Sequence, residues 1–369
     1  MSSIHEKYNL KQVINCSGRM TILGVSTPTE SVSEAVNAGL NQYFEMKDLV
    51  IKSGEFIADQ LETEAAVVVS CASAGIAQSV AAMIVKDDQY RLENLHAHQH
   101  DVPNEIVIPK GHNVNFGAPV STMIMLGGGQ VKEAGYANEC TKAHLSAAIT
   151  PNTAAILYVK SHHCVQKSML SIEEAVEVAR AHQLPLILDA AAEGDLKSYY
   201  KMGADLVIYS GAKAIEGPTS GLVVGRQQYI DWVRMQSQGI GRAMKVGKEG
   251  ILGLTQAVAE YYTRNHETGQ QMVDKMKDFI EQLNKLNGVD AKVVWDSAGR
   301  DIARTEISFD ETALNMTTPI IVNKLTATSP AVYCRGYKAN EGKIEIDARS
   351  VTKSDLELVS NKINSIINA

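Results

Sequence analysis

From about residue 50 to residue 235, short apolar runs alternate with longer amphipathic stretches. Apolar runs separated by helical patterns are typical of a parallel sheet with helices on both faces, so the predicted class is α/β. The clearest helix is 171–183, which Ser171 and Glu174 open with the spacing of a capping box. The last two runs are too close together for a helical crossover, so the final strand is predicted antiparallel. The predicted strands are 65–70, 105–109, 122–127, 154–159, 184–190, 205–210 and 221–225.

The rest of the chain predicts a smaller α+β unit. Residues 247–286 predict a long helix, or two helices separated near Asn265, and a closing helix begins at about Ser354. An irregular N-terminal arm leads into a helix capped near Thr27, with Pro28 at its first position. The predicted divisions are an arm and helix (1–49), a large domain (50–240), a connecting helix (241–286) and a small C-terminal domain (287–369).

Composition narrows the function classes. The chain has 369 residues, a formal net charge of -7 and scattered lysines and arginines, which does not indicate a nucleic-acid interface. Its five cysteines are widely spaced without a C-x-x-C pair, which argues against a disulfide framework and a structural zinc site. The polar N-terminus lacks the apolar core of a signal peptide, and no apolar run reaches the length of a membrane span. We therefore expect a soluble, cytoplasmic protein with no membrane or nucleic-acid partner.

Residues that could bind a ligand or take part in catalysis follow several predicted strands, at the edge where open α/β sheets bind ligands. Small residues after the first strand open a helix whose N-terminal amides could hold a phosphate. An imidazole, a carboxylate and a lysine follow three further strands. Each also has an ordinary explanation: tight packing, a hydrogen-bonded histidine, a helix-capping carboxylate and a solvated lysine. In chain order the residues are Ser73, Ala74, Gly75, His112, Asp189 and Lys213.

Taken together, these residues match the needs of pyridoxal phosphate (PLP). This cofactor requires a lysine for its Schiff base, a carboxylate that keeps its pyridine nitrogen protonated, a helix N-terminus for its phosphate and a flat group over its ring. Asp189 and Lys213 are one β-α-β step apart, which places them on neighbouring strands. The residues together therefore indicate PLP binding more strongly than any one of them does alone.

Other ligands are less well supported. Gly239-Ile240-Gly241 lacks the third glycine of a nicotinamide-binding motif and follows no strand. Three histidines, His96, His98 and His100, have a spacing that aligns imidazoles only on a strand, whereas the stretch around them is polar and predicts a solvated loop. We therefore expect no metal site.

Three motifs carry a resemblance to a known family that covers nearly the whole chain from about Gln12. Ser210-Gly211-Ala212-Lys213, followed by Gly217-Pro218, resembles the lysine loop of fold type I (aspartate-aminotransferase-like) PLP enzymes in the selenocysteine synthase (seryl-tRNA selenium transferase) branch. The early Val13-Ile14-Asn15 segment, with Gly18, and the later segment from Arg242 to Lys248 match further motifs of that branch. The resemblance implies a mostly parallel large domain that binds PLP and a small α+β C-terminal domain.

Within this branch, "INCSGRMTILGVSTP" and "LDAAAEGDL" are most similar to the D-glucosaminate-6-phosphate ammonia-lyases. The resemblance implies dehydration and deamination of a phosphorylated 2-amino-2-deoxy sugar acid to a 2-keto-3-deoxy acid and ammonia. The acidic composition and a start close to the shared core argue against the tRNA-dependent transferase itself. The alternatives are a selenium or sulfur transferase, a β-lyase, or an inactive PLP-fold binding protein, against which intact Asp189 and Lys213 argue.

The resemblance also implies residue roles. Lys213 holds the cofactor and acts as a base, and Asp189 keeps the ring nitrogen protonated. His112 stacks over the ring and Ala191 packs beneath it. The implied phosphate contacts are Ser73, Ala74, Gly75 and Ser210.

Anionic substrates need cations, and arginine suits a carboxylate held by two hydrogen bonds. Arg349 is where many fold type I enzymes place such an arginine, while Arg242 and Lys245 suit a substrate phosphate. A surface salt bridge explains each candidate equally well. The resemblance further implies a homodimer or a higher even-numbered homo-oligomer. The candidate cations are Arg19, Arg242, Lys245, Arg335 and Arg349.

Overall fold

The computed structural model describes residues 3–97, 101–161, 163–265, 267–296 and 300–368. The strands are β1 (Val13–Cys16), β2 (Ala65–Val69), β3 (Glu105–Pro109), β4 (Gln130–Ala134), β5 (Thr153–Val159), β6 (Leu186–Asp189), β7 (Leu206–Ser210), β8 (Gly221–Gly225), β9 (Val289–Trp295), β10 (Ala303–Phe309), β11 (Ala331–Cys334) and β12 (Lys343–Asp347).

The α-helices lie between and after these strands. They are α1 (Ile4–Tyr8), α2 (Glu30–Asn41), α3 (Met46–Leu61), α4 (Ala72–Val85), α5 (Gln89–Glu93), α6 (Val120–Leu126), α7 (Lys142–Ala148), α8 (Ile172–Ala181), α9 (Ser198–Met202), α10 (Gln227–Met235), α11 (Lys248–Tyr261), α12 (Gly269–Leu283), α13 (Thr318–Ala327) and α14 (Lys353–Ile367). Short 3-10 helices cover Thr21–Leu23, Lys110–His112, Gln236–Gln238, Ile240–Met244, Ala339–Glu341 and Ala348–Ser350.

The chain divides into two compact units. The large unit is Thr27–Arg264, and the small unit combines Met1–Ser26 with Asn265–Ala369. This division differs from the predicted boundaries after residues 49, 240 and 286. Helices α2 and α11 pack against each other, which assigns both to the large unit, whereas β1 pairs with β11 and thereby assigns the N-terminal arm to the small unit.

Within the described residues, the large unit contains a seven-stranded sheet in the order β2-β8-β7-β6-β5-β3-β4. The strands from β7 to β4 are all parallel to their neighbours. Strand β8 is antiparallel to both β7 and β2, which confirms the prediction for 221–225. The central strands β6, β7 and β8 are mostly apolar, and all their residues except Ser210 are buried, because helices cover both faces of the sheet.

One predicted strand was wrong. Residues 122–126 lie in helix α6 and Gly127 is its C-cap; Val120 and Ile124 of this helix are four residues apart and fully buried. The strand at this position is instead β4, where Ala134 is the buried residue and the rest is at least partly accessible. Because β4 is an edge strand with polar residues, its sequence carries no apolar run from which it could be predicted.

Two helix limits also differ from the prediction. Helix α2 begins at Glu30 with Thr29 as its N-cap, two residues beyond the predicted Thr27. The Thr29 hydroxyl accepts a hydrogen bond from the amide of Val32 at 3.4 Å and donates one to Glu260 at 2.7 Å, so a tertiary contact supports this cap. The predicted helix 247–286 is two helices, α11 and α12, as the alternative with a break near Asn265 stated.

The small unit confirms the predicted α+β organisation. Among its described residues, β12, β10 and β9 form a three-stranded antiparallel sheet, and β1 and β11 form a parallel pair. Helices α12, α13 and α14 contribute Phe279, Ile321 and Ile363 to a separate hydrophobic core. Strand β12 ends at Asp347, two residues before the candidate Arg349.

Helix α3 packs closely against the sheet at Gly54. A Cβ atom at this position would collide with the carbonyl oxygen of Ala66 in β2. We expect Gly54→Ala to lower the free energy of unfolding by about 1–3 kcal/mol, because overpacking outweighs the better helix propensity of alanine. The measurement is chemical denaturation followed by circular dichroism.

Gly250→Ala in α11 is the matched control, since the nearest atom to its added Cβ is a valine methyl of Val246 at 3.1 Å. This variant should match or exceed the wild type in stability. The interpretation fails if both variants have the same stability.

Candidate active site

The carboxyl ends of β6 and β7 bring two predicted site segments together. Asp189, the last residue of β6, pairs in register with Ile208 of β7. Beyond the strands, the amide of Ala190 donates to the carbonyl of Ile208 at 2.9 Å, and the amide of Ser210 donates to the carbonyl of Ala191 at 3.2 Å. The backbone after Asp189 is therefore held directly beside the start of the lysine loop.

Asp189 is a buried carboxylate. Its Oδ1 accepts a hydrogen bond from the amide of Ala191 at 3.0 Å. Burial raises the pKa of Asp189 to about 6, against the opposing effects of that amide and of the Lys213 charge. A carboxyl group in water ionises more easily, so burial of Asp189 makes its charged form less favourable.

Backbone contacts fix the loop that carries Lys213. The amide of Gly211 donates to the carbonyl of Ser220 at 2.8 Å, and the amide of Gly217 donates to the carbonyl of Gly211 at 2.8 Å. A Cβ atom on Gly211 would collide with the Ser220 hydroxyl, so this turn requires glycine. Backbone hydrogen bonds thus fix the loop both before and after Lys213.

An ion pair supports the same loop from outside. Glu216 has a left-handed backbone with φ of 58°, and its amide donates to the carbonyl of Lys213 at 3.3 Å. The Arg264 guanidinium contacts the Glu216 carboxylate at 2.8 Å. Sequence analysis missed both residues, because the pairing joins positions 48 residues apart.

His112 lies in a largely apolar position. It is 1% exposed, and its ring meets that of Tyr158 edge-on, with 4.5 Å between the centroids. Burial, with a further contribution from the Lys160 charge, lowers the pKa of His112 to about 4, so its imidazole is neutral at neutral pH. Among the described residues, its buried Nδ1 has no hydrogen-bond partner, which is unusual for a buried polar atom.

Helix α4 begins beside this sheet edge. Cys71 is its N-cap, and the Sγ atom accepts a hydrogen bond from the amide of Ala74 at 3.3 Å, while the Cys71 carbonyl accepts one from Gly75 at 3.0 Å. Of the three predicted phosphate contacts that lie in α4, Ser73 therefore has its amide in the first turn, where N–H groups lack helical partners. A Cβ atom on Gly221 of β8 would collide with Cys71, so that glycine permits the approach of the helix.

The candidate substrate cations are distributed over both units. Arg242 and Lys245 line a cavity of about 610 Å³ in the large unit, together with apolar residues of β2. In the small unit, Arg335 pairs with Glu345 at 3.3 Å, and Arg349 pairs with Asp347 at 2.7 Å. Arg19 follows the left-handed turn residue Gly18 in the same unit.

Some predictions concern residues that the structure does not describe. His98 and His100 lie outside the described residues, while His96 is exposed. Within the described ranges, no cluster of three or more histidine, cysteine or acidic side chains could hold a metal ion. All five cysteines in those ranges are free thiols.

Comparison with known proteins gives two close matches of nearly full length. The D-glucosaminate-6-phosphate ammonia lyase of Salmonella typhimurium (strain 14028s / SGSC 2262) is 41% identical, and the alignment covers 99% of this chain and 98% of that protein. A 5'-C-glycyluridine monooxygenase-decarboxylase of a Streptomyces species is 36% identical, with 96% and 90% covered. The crystal structure of a D-glucosaminate-6-phosphate ammonia-lyase matches with a TM-score of 0.95 and 40% identity, covering 100% of this chain and 99% of that one.

More distant matches define the fold and the family. The aspartate aminotransferase of Thermus thermophilus matches with a TM-score of 0.52 at 15% identity, over 98% of this chain and 94% of that one, which shows the aspartate-aminotransferase-like fold alone. A family model described as SelA, L-seryl-tRNA selenium transferase, matches residues 13–294, which is most of the chain. The chain therefore belongs to the SelA (L-seryl-tRNA selenium transferase) family and has an aspartate-aminotransferase-like fold.

Proposed function

We propose that this protein is a PLP-dependent ammonia-lyase that acts on a phosphorylated 2-amino-2-deoxy sugar acid such as D-glucosaminate 6-phosphate. The products are a 2-keto-3-deoxy acid and ammonia. The observation that carries the proposal is the buried Asp189 carboxyl beside the loop of Lys213, in a chain 41% identical over nearly its full length to an ammonia lyase of that specificity.

The residues at the sheet edge fit PLP. SelA-like and aminotransferase-like proteins are PLP-dependent families. The buried carboxyl, the lysine loop, the neutral histidine with an unpaired Nδ1 and the first turn of α4 are the groups this cofactor needs. When bound, PLP supplies a protonated pyridine ring that accepts electrons from the substrate's Cα.

Asp189 serves the proposed chemistry through its charge. A carboxylate that is costly to bury is stabilised by an adjacent cation, and a protonated ring nitrogen is such a cation. Asp189 would hold the proton on that nitrogen through an ionic hydrogen bond. The amide of Ala191 orients the carboxyl by its hydrogen bond to Oδ1.

Lys213 would act at its Nζ atom. Its amine would hold the cofactor, and once the substrate's amine has taken its place, Nζ would accept the proton from the substrate's Cα. Loss of the 3-hydroxyl as water, followed by addition of water and release of ammonia, completes the balance. The backbone contacts of Gly211 and Gly217 keep the lysine in place throughout.

The remaining roles follow from position. Neutral His112 would pack against one side of the cofactor ring and Ala191 against the other. The proposed phosphate contacts are Ser73, Ala74, Gly75 and Ser210, with Ser73 offering an amide of the first turn of α4. The proposed substrate cations are Arg19, Arg242, Lys245, Arg335 and Arg349.

The proposed setting is a cytoplasmic homodimer or higher even-numbered homo-oligomer. In the part of the chain that the structure describes, no helix is long and apolar enough to cross a membrane. The proposal includes neither a nucleic-acid nor a membrane partner.

The direct test of the reaction uses purified holoenzyme with D-glucosaminate 6-phosphate. We expect equal amounts of 2-keto acid and ammonia, without consumption of oxygen. Oxygen uptake with release of carbon dioxide would favour the chemistry named for the 36% identical relative instead. Binding of seryl-tRNA in a gel shift would favour a transferase, and the absence of keto acid would contradict the lyase.

Lys213→Ala should abolish keto-acid formation, because no other residue can replace Nζ in both of its roles. Borohydride reduction of the wild type should attach the cofactor to the peptide that contains Lys213, as mass spectrometry would show. Lys201→Ala, which removes an exposed partner of Glu62, is the control and should remain active and labelled. Labelling of a different lysine would contradict the assignment.

Asp189→Asn should lower activity steeply yet raise the stability of the cofactor-free protein. Since the folded-state pKa of about 6 exceeds the ordinary value of 3.8, the folded protein binds a proton more tightly and loses stability as pH rises from about 4 to 6. Above pH 6 the variant should therefore be more stable by up to about 3 kcal/mol. Below pH 4 the two proteins should converge.

Urea denaturation of the cofactor-free proteins across this pH range is the measurement. A constant difference between wild type and Asp189→Asn at every pH would show that the carboxyl carries no ionisation cost.

A further inference from the structure

One face of helix α11 lies along the loop that carries Lys213. Leu254 and Ala257, three residues apart on this face, are fully buried. A Cβ atom on Gly211 would lie 2.9 Å from Cδ1 of Leu254, and one on Gly217 would lie 3.3 Å from Cβ of Ala257. The helix face therefore packs tightly against the loop both before and after the lysine.

Tyr261 continues this face, four residues after Ala257, and reaches the segment that follows Asp189. Its hydroxyl donates a hydrogen bond to the carbonyl of Gly194 at 2.7 Å. A Cβ atom on Gly194 would lie 3.2 Å from the Tyr261 hydroxyl and 4.0 Å from Cβ of Ala214, the residue after the lysine. The helix, the Asp189 segment and the lysine loop thus meet beside Tyr261.

Arg264 extends the same face past the end of α11. Its guanidinium contacts the Glu216 carboxylate at 2.8 Å and the carbonyl of Ile215 at 3.5 Å, and it also binds Glu260. Glu260 in turn accepts a hydrogen bond from the Thr29 hydroxyl at 2.7 Å, and Thr29 is the N-cap of α2. Because the Arg264 side chain is only 12% exposed, water screens these contacts little. The end of α11 is therefore fixed on the lysine loop and on α2.

Two tyrosine hydroxyls hold the end of the segment that follows Asp189. The amide of Glu193 donates to the carbonyl three residues earlier at 3.0 Å, so the chain turns tightly here. Tyr209 of β7, 1% exposed, donates its hydroxyl to the carbonyl of Asp195 at 3.1 Å. The neighbouring carbonyl is the one that Tyr261 holds. The position of this turn therefore depends on both tyrosines as well as on the strand before it.

From these contacts we infer that Tyr261 is a positioning residue, which fixes the segment after Asp189 against the lysine loop. Asp189 and Lys213 are the proposed partners of the ring nitrogen and the aldehyde of PLP, so their separation has to match one pyridine ring. The same helix face supports both segments, through Tyr261 on one and through Leu254 and Ala257 on the other. The inference rests on the proposed function, because it needs the cofactor.

A purely structural role for Tyr261 predicts a different result. A tyrosine that only stabilises the fold would affect every contact to the cofactor alike. A tyrosine that sets the place of Asp189 would affect the contact to the ring nitrogen and leave the others intact. The two roles therefore separate when the ring nitrogen is removed from the ligand.

The test uses the full chain freed of cofactor and measures binding of two ligands by equilibrium dialysis. One ligand is PLP, and the other is 1-deazapyridoxal 5'-phosphate, in which a carbon atom replaces the ring nitrogen. Both retain the aldehyde and the phosphate. We expect the wild type to prefer PLP by about 10- to 100-fold, the range for hydrogen bonds to a charged group.

Tyr261→Phe should reduce this preference by about 3- to 10-fold, the range for a neutral hydrogen bond, while affinity for the deaza ligand stays unchanged. Gly194→Ala should act in the same direction, because its added Cβ pushes against the Tyr261 hydroxyl from the other side. Tyr200→Phe is the matched control: it removes a hydroxyl that binds Glu64 at 2.9 Å, and it should keep the wild-type preference.

Equal weakening of both ligands in Tyr261→Phe and Gly194→Ala would show a purely structural role and overturn the inference. An unchanged preference in both variants would overturn it too, as would a wild type that binds the two ligands equally. Failure of the proposed function is distinguished separately, because the keto-acid assay of the wild type depends on neither variant.

Discussion

The burial of one carboxylate, Asp189, beside the Lys213 loop is the constraint around which the large unit is organised. Parallel pairing of β6 with β7 brings the two segments to the same edge. The same pairing removes Asp189 from water, and this raises its pKa. An isolated chain gains no stability from an ionised group in such a place, whereas a bound cationic ring would make the charge favourable. Under the proposed function, cofactor chemistry rather than packing accounts for this position.

Close backbone approaches support this edge. Glycines at 211 and 221 lie where a Cβ atom would strike Ser220 or Cys71, and they allow the lysine turn and helix α4 to lie against the strands. The Arg264–Glu216 ion pair adds support from the segment that follows α11. The small unit uses a different device, in which a buried aspartate orients an arginine by two hydrogen bonds. In each unit, hydrogen bonds or ion pairs of neighbouring groups thus fix the segment or side chain that carries the charge.

Relatives of similar identity carry different reaction names, an ammonia lyase at 41% and a monooxygenase-decarboxylase at 36%. The shared family and fold therefore do not by themselves decide the reaction. What selects one outcome is the set of groups around the substrate.

The sequence by itself determined the alternation of strands and helices, the antiparallel 221–225 strand, the capping box at Ser171 and the neighbouring placement of Asp189 and Lys213. Local apolar runs, cap residues and the length of one β-α-β step predict these features. Only the tertiary structure decided that 122–126 is helical and that β4 forms the polar edge of the sheet. It also decided the division into two units, the Cys71 cap, the environment of His112 and the Asp347–Arg349 contact. Those features depend on partners far away in the chain, and burial and pairing between distant segments leave no periodic pattern in the sequence.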